Sequence, residues 1–341
     1  MSFNTWSLRR RAGVVAAVVA VSFGASACGS AAAKDSEWPQ TAVTFVNPSG
    51  PGGGLDQLFR EAQPFLEKEL GQPITVEYRE GGQLAIGTTY MVQQGKDCSP
   101  FMIHSWPDVA FSYLTQNVPY TREDLVPVAG MTVEPVTIWV ANGAPWGNLQ
   151  EFIGEARKRP GEVRVSVPNL SGADNLAALA LEDVANIDLN IVTYAGGGSA
   201  SRNAVVAGEV EAAMGGVFAS QIIKDEARPL AVFQDENRWS ELLGDAPPAK
   251  EVVGTEIHPY GGILGYFVQA DCATEHPERY ARLVSAFESL ATNPEYIAKL
   301  EAKNEASKLN YLTPDEFTKL IDSDMDRIKG LLKDQPEDFG K

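Results

Sequence analysis

Residues 47–62 have the sequence NPSGPGGGLDQLFREA, which places a glycine triplet and an aspartate where a hydrophobic run stops and a helical pattern begins. The preceding run, TAVTFVN, is rich in β-branched residues and predicts a strand. Apolar side chains follow at helical spacing from Leu55 to Leu70, and Gly71 ends the predicted helix. In open α/β sheets, ligands bind beyond the carboxyl ends of strands, where helix N-termini present free N–H groups that favour negative charge. The stretch therefore predicts an α/β fold with an anion-binding corner.

The same order of strand and helix recurs along the chain. PITVEY (residues 73–78) and PFMIHS (100–105) continue the first run, and VTIWVAN (136–142) opens a second run of strands and helices. Such alternation is typical of a parallel sheet covered by helices. We therefore predict two α/β lobes, each with a mainly parallel sheet.

The length of the chain also favours two lobes. It has 341 residues, whereas domains typically contain about 100–200 residues. We expect lobe 1 to comprise residues 38–134 plus 260–341, and lobe 2 to comprise residues 135–259.

Composition indicates a globular and acidic protein. Apolar residues make up 44% and charged residues 21% of the sequence, which is ordinary for a globular fold. The 45 Asp and Glu residues exceed the 28 Lys and Arg residues, so the field of the protein repels phosphate backbones. Nucleic acid is therefore not an expected partner.

The N-terminal residues have the pattern of an export signal. Three arginines at residues 9–11 precede an apolar run at 12–23, and GASACGS around Cys28 resembles a bacterial lipobox. We expect a signal peptide over residues 1–27, lipidation of Cys28, and a tether over 28–37 that holds the protein on the outer face of the cytoplasmic membrane. Plain cleavage nearby, giving a periplasmic protein, and twin-arginine export through SLRRR are the alternatives.

Two further cysteines, Cys98 and Cys272, follow the expected cleavage site. In an oxidising compartment an even number of cysteines permits a disulfide. Two buried free thiols are an equally acceptable arrangement.

Four predicted strand-to-helix corners carry glycines and hydroxyl residues. After the first, at residues 48–56, come YREGGQLAIG, PNLSGADN and YAGGGSAS, so each predicted lobe contributes two corners. We expect their N–H groups and hydroxyls to converge on a cleft, although a tight turn with a helix N-cap is the alternative at each corner. The candidate ligand-binding residues, including two that follow the third strand, are Ser49, Gly52, Gly53, Gly54, Asp56, Gly81, Gly82, Gln83, Ser105, Trp106, Ser171, Gly172, Ala173, Tyr194, Gly196, Gly197 and Ser199.

The order of these motifs resembles one family. NPSGPGGGLDQLFRE, LGQPITVEYREGG, a segment from SGADNLAALAL to EVEAAMGG, and GGILGYFVQA occur in sequence between about residues 43 and 333. This order is similar to that of the extracytoplasmic solute receptors of tripartite tricarboxylate transporters, also called Bug receptors.

The resemblance implies a two-lobed clamshell like the type II periplasmic binding proteins. Such a receptor would capture a small carboxylate in the interlobe cleft and deliver it to membrane transporter subunits. The glycine amides of the first corner would bind the carboxylate, and Asp56 would fix the loop or a ligand water. Trp106 would form a wall of the cleft. Because Glu80 and Asp174 lie near the predicted cleft, a zwitterionic solute whose amine they pair is a second expectation.

An enzyme is the main alternative class. The three histidines, His104, His258 and His276, are isolated from other metal-type ligands, and no Gly-x-Ser-x-Gly elbow occurs. We therefore predict no catalytic residues, no metal site and no cofactor. A hydrolase or lyase acting on a small acid, and a ligand sensor without a transport role, are the alternative functions.

Overall fold

The computed structural model describes residues 37–52, 54–82, 84–194 and 197–334. The predicted signal peptide, the predicted lipidation site Cys28 and all but the last residue of the predicted tether lie outside these residues. No helix in the described part of the chain is both long enough and apolar enough to span a membrane.

Strands and helices alternate along the described chain, as the sequence pattern predicts. The strands are β1 (Val43–Asn47), β2 (Ile74–Tyr78), β3 (Phe101–Trp106), β4 (Leu125–Ala141), β5 (Arg164–Ser166), β6 (Asn190–Val192), β7 (Ala212–Gly216), β8 (Ala227–Val232), β9 (Gly261–Gln269) and β10 (Leu309–Leu312). The helices are α1 (Gly54–Leu70), α2 (Ala85–Gln94), α3 (Asp108–Thr115), α4 (Leu149–Lys158), α5 (Ala173–Ala185), α6 (Gly197–Val206), α7 (Ser240–Leu243), α8 (Ala249–Val253), α9 (Ala270–Glu275), α10 (Pro277–Thr292), α11 (Pro294–Glu301) and α12 (Pro314–Asp334).

The strands form a mixed sheet in the order β2-β1-β3-β9-β4-β7-β5-β6, and β8 and β10 also pair with β4. The groups β2-β1-β3 and β7-β5-β6 are parallel. Strands β4 and β9 run antiparallel to each other and to their outer neighbours, because the chain leaves lobe 1 along β4 and returns along β9. The predicted α/β class is confirmed, but the sheet of each lobe combines parallel with antiparallel pairs.

Strand β4 serves both lobes. Its 17 residues form a nearly continuous buried run. Up to Pro135 it pairs with β9, and from Val136 onward it pairs with β7 and β8. The change of partner falls at the predicted boundary between residues 134 and 135, while the lobe boundaries themselves stay predictions.

A cluster of aromatic side chains fills the core of lobe 1. The rings of Phe45 and Phe59 stack with their centroids 3.5 Å apart, which fixes α1 against β1. Phe101, Tyr266 and Phe287 pack around them and are buried. Burial of such large side chains fixes where α1 begins, and with it the glycine corner.

Cys98 and Cys272 form a disulfide in this lobe. It joins the turn before β3 to α9 across a sequence separation of 174 residues. Both cysteines are fully buried.

Replacing both cysteines with serine is expected to lower the free energy of unfolding by about 2–4 kcal/mol, because the cross-link restricts the unfolded chain. Urea unfolding followed by circular dichroism measures this loss. Wild-type protein treated with a reductant should unfold at the same urea concentration as the variant. Equal midpoints for the untreated wild type and the variant would show that the disulfide contributes no stability.

Candidate functional site

A cleft of about 910 Å³ lies where the two lobes meet. Small-molecule sites typically enclose about 300–1,000 Å³, so the cleft suits a small solute. Residues from both lobes line it, among them Ser49, Gly52, Gly54, Ser105, Asp108, Thr132, Glu134, Ala173, Asp174, Ser199 and Arg202.

The cleft brings together part of the predicted set. The predicted residues that line it are Ser49, Gly52, Gly54, Ser105, Ala173 and Ser199. The predicted residues that are described but do not line it are Asp56, Gly81, Gly82, Trp106, Ser171, Gly172, Tyr194 and Gly197. Gly53, Gln83 and Gly196 lie outside the described residues.

Asp56 holds the glycine corner together through hydrogen bonds, without lining the cleft itself. Its carboxylate accepts hydrogen bonds of 2.8 Å from the Gly52 N–H and from the Tyr78 hydroxyl, and Arg60 lies 3.4 Å away. Burial alone would raise the pKa of Asp56, but these donors outweigh it and lower the pKa. Gly52 has a φ of +76°, which favours glycine. Asp56 therefore fixes the loop, and the Gly52 N–H is not available to a ligand.

Ser105 and Trp106 point to opposite sides of β3, since side chains alternate along a strand. Ser105 lines the cleft, whereas Trp106 lines a second cavity of about 380 Å³. The indole of Trp106 donates to Asp324 at 3.1 Å, and Asp324 also pairs with Arg327 at 2.6 Å. Trp106 therefore does not line the larger cleft; it lines the second cavity, which also lies between the two predicted lobes and shares Val133 and Ala173 with the cleft. The polar groups around Trp106 satisfy one another.

Three carboxylates converge on the cleft from different elements. Asp108 begins α3, Glu134 lies on β4, and Asp174 lies in the first turn of α5. Burial, together with the smaller effect of the charge on Asp174, raises the pKa of Asp108 and of Glu134 to about 7. Burial also raises the pKa of Asp174 to about 6, although Arg202 opposes this effect.

Two of these carboxylates are anchored by neighbouring donors. Glu134 accepts hydrogen bonds from the N–H groups of Phe218 and Ala219, at 2.8 and 3.2 Å. The carboxylate of Asp108 is hydrogen-bonded by Ser105, which lowers its pKa in part. These hydrogen bonds fix the positions of both carboxyl groups at the cleft wall.

Arg202 provides a positive charge in the cleft, near Glu134 and Asp174. It lies one turn after Ser199 on α6, and its Nη2 is 3.5 Å from the Ser199 hydroxyl. Its Nε is buried and donates to no described residue. Burial lowers the pKa of Arg202, while Glu134 and Asp174 partly offset this by attraction. The guanidinium thus keeps hydrogen-bonding capacity for a ligand.

Two lysines at the edge of the cleft are already paired. Lys303 pairs with Glu61, and Lys308 pairs with Glu305 and lies 3.6 Å from Glu61. These lysines and glutamates neutralise one another. Arg202 is therefore the lining cation in the described chain that is best placed to meet an anion.

The sequence analysis did not select Asp108, Glu134 or Arg202 as binding residues. Asp108 follows the third strand in the same kind of corner as the selected residues, and Arg202 lies one helical turn past Ser199. These spacings are the signal that could have found them. Glu134 stands within an apolar strand, where a lone carboxylate is itself unusual.

Comparison with known proteins identifies the family. A family model described as the tripartite tricarboxylate transporter family receptor matches residues 58–336. The chain belongs to this receptor family. The resemblance drawn from the ordered motifs is confirmed.

Curated relatives match over part of their length. A UPF0065 protein in the tcbD-tcbE intergenic region of Pseudomonas sp. (strain P51) is 27% identical over 64% of this chain and 65% of that protein. Protein BugT of Bordetella pertussis is 27% identical over 54% of this chain and 55% of that protein. The chain thus spans about half to two thirds of the length of these relatives.

Solved structures share the fold. An R. palustris protein with adipate has a TM-score of 0.75 and 22% identity, over 87% of this receptor and 97% of that chain. MatC from Rhodopseudomonas palustris, with bound malate, has a TM-score of 0.69 and 19% identity, over 85% of this receptor and 98% of that chain. A TctC solute-binding protein from Polaromonas has a TM-score of 0.69 and 22% identity, over 87% and 99% of the two chains. The expected fold of a type II periplasmic binding protein is confirmed.

Replacing Asp108 with Asn is expected to stabilise the receptor at pH 8 and to have little effect at pH 4. Because the folded-state pKa of about 7 exceeds the ordinary value of 3.8, the native state binds this proton more tightly than the unfolded state. The stability of the wild type therefore falls as pH rises from about 4 to 7. Asn has a similar shape and does not ionise, so we expect a gain in Tm of about 2–4 °C at pH 8.

Thermal unfolding of both proteins from pH 4 to pH 8 measures this effect. Asp245 is exposed, so Asp245→Asn serves as the control and should show no gain that depends on pH. A lower Tm for Asp108→Asn at pH 8 would contradict the burial of an ionisable charge at this position.

Proposed function

We propose that this chain is an extracytoplasmic solute-binding receptor that captures a small carboxylic acid in the interlobe cleft and presents it to a tripartite tricarboxylate-type transporter. The observation that carries the proposal is Arg202, a half-buried arginine that lines the cleft and whose buried Nε donates to no described residue. A guanidinium binds a carboxylate through two parallel N–H donors. The first turns of α1 and α6 reach the same cleft and add backbone N–H donors.

Contact between the lobes gives a mechanism for capture. Asp108 lies in the predicted lobe 1, and Gly172 lies in the predicted lobe 2. A Cβ atom built on Gly172 would lie 3.1 Å from Oδ1 of Asp108, so the two lobes meet closely here. A solute that contacts both walls would favour the closed arrangement by its higher affinity for that state. The closed receptor would be the form that the transporter recognises.

The structural relatives are consistent with a small acid as the solute. Two of them were solved with adipate and with malate, which are small dicarboxylates. We extend this chemical class to the present receptor. We also propose that it is exported and held at the membrane by lipidation of Cys28, as the lipobox-like sequence predicts.

Replacing Arg202 with Met is expected to weaken the binding of a small carboxylate by about 10–100-fold, since a hydrogen bond to a charged group contributes about 1.5–3 kcal/mol. A thermal-shift screen of dicarboxylates, tricarboxylates, aromatic acids and amino acids selects the solute, and isothermal titration calorimetry measures its Kd. Mass spectrometry of the recovered solute should find it unchanged, whereas a hydrolase or lyase would release product.

Arg238→Met is the matched control. Arg238 is 73% exposed and lines the second cavity, so this variant should keep the wild-type affinity. Loss of affinity in Arg238→Met but not in Arg202→Met would place the solute in the second cavity and overturn the assignment.

A further inference from the structure

The part of the cleft between the Asp108 end of β3 and Arg202 of α6 has more acidic than basic side chains. Asp108, Glu134 and Asp174 line it together with Arg202, which is the one lining cation in the described chain without an ion pair within 4 Å. Burying carboxylates is costly unless they are paired or hydrogen-bonded. A receptor for a solute with only negative groups would not benefit from three such acids, so the excess calls for a positive group.

Asp108 and Asp174 are placed on opposite walls and act on each other. Asp108 reaches across to the Gly172 corner, and Asp174 follows two residues later in the first turn of α5. The charge on Asp174 raises the pKa of Asp108, so the two carboxylates are close enough to repel each other. Without a bound cation, protonation of Asp108 relieves the repulsion.

Unpaired polar atoms in the cleft point independently to a ligand. Oδ1 of Asp174 is shielded from solvent and has no hydrogen-bond partner among the described residues. The hydroxyl of Thr132 is also unpaired within the described chain, and Thr132 is only 1% exposed. Buried polar groups without partners are rare in native proteins, so these two atoms are candidates for hydrogen bonds to a ligand.

Strand register places Thr132 on the same floor as Ser105. Thr132 of β4 pairs with Leu264 of β9, and Leu264 pairs in turn with Ser105 of β3. All three line the cleft. Adjacent strands are about 4.8 Å apart, so Thr132 lies about two strand spacings from the Ser105 and Asp108 end. A solute that reaches both ends is several bonds long.

The spacing of the acids favours an organic cation over a metal ion. No group of three His, Cys, Asp or Glu side chains in the described residues is arranged to hold a metal. A primary ammonium carries three N–H donors and can satisfy separate carboxylates and a hydroxyl. It therefore matches acids that approach from two walls.

We propose that Asp108 and Asp174 form a subsite for the ammonium group of a zwitterionic solute whose carboxylate binds Arg202. The inference rests on the proposed receptor function and specifies its solute class as a small amino acid. Thr132 binds a polar group at the far end of the same solute. Below about pH 7, where Asp108 is protonated, binding of the ammonium releases that proton to the solvent.

The test compares matched pairs of solutes that differ only in the amine: L-glutamate with glutarate, L-aspartate with succinate, and 4-aminobutyrate with butyrate. Calorimetry on the purified protein should give at least tenfold tighter binding for the amino member of the preferred pair. Asp108→Asn and Asp174→Asn should remove this preference, because they weaken the amino member and strengthen the other. Thr132→Val should weaken both members of the glutamate and aspartate pairs equally, because only these carry a second carboxylate, and the surface variant Asp245→Asn should change no pair.

The pH dependence supplies a second readout. Between pH 5 and pH 8 the affinity for the amino member should rise, and the affinity for its partner should fall, as the acids ionise. The charged groups that face this subsite are Asp108, Asp174, Glu134 and Arg202, and Lys308 acts on Glu134 from the cleft edge. In Asp108→Asn and Asp174→Asn, both affinities should change less between pH 5 and pH 8.

The outcomes separate the two proposals. Tighter binding of the members without an amine, unchanged in the Asn variants, would overturn the ammonium subsite and leave the carboxylate receptor in place. If no member of any pair binds and no acid in the thermal-shift screen binds, both proposals are overturned. Circular dichroism establishes that each variant is folded.

Discussion

The continuous hydrogen bonding of β4 is the constraint on which the cleft depends. One strand completes the sheet of lobe 1 against β9 and then the sheet of lobe 2 against β7 and β8, so neither lobe has a free edge at the junction. Its partner changes at Pro135 and Val136, directly after Glu134 and three residues after Thr132. The strand that joins the lobes therefore also supplies part of the cleft wall, through Thr132 and Glu134.

Electrostatics distinguish this cleft from a simple anion trap. The proposed capture of a carboxylate rests on Arg202, which lines the cleft without an ion pair within 4 Å among the described residues. Asp108, Glu134 and Asp174 surround the arginine with acids that burial makes reluctant to ionise. Acids with strongly shifted pKa values cluster at functional sites. The balance of one cation and several acids therefore favours a solute that carries both signs of charge.

The sequence predicted the fold better than the site. Helix α1 and the strands around it follow from periodicity alone, because each buries one apolar face. The site depends on contacts between distant segments: Asp108 becomes a cleft residue only when the Gly172 corner packs beside it. Trp106 directly follows Ser105 on β3, and because side chains alternate along a strand its indole lines the second cavity. The pairing of Cys98 with Cys272 could not be derived from their count, because it requires the turn before β3 to lie beside α9.

The most direct test of the account is a crystal structure of the receptor with the tightest-binding solute of the amino and desamino pairs. The account predicts the solute in the interlobe cleft, with its carboxylate within hydrogen-bond distance of Arg202 and its ammonium between Asp108 and Asp174. A solute seated in the second cavity beside Trp106, or one in the cleft with its carboxylate turned away from Arg202, would contradict it.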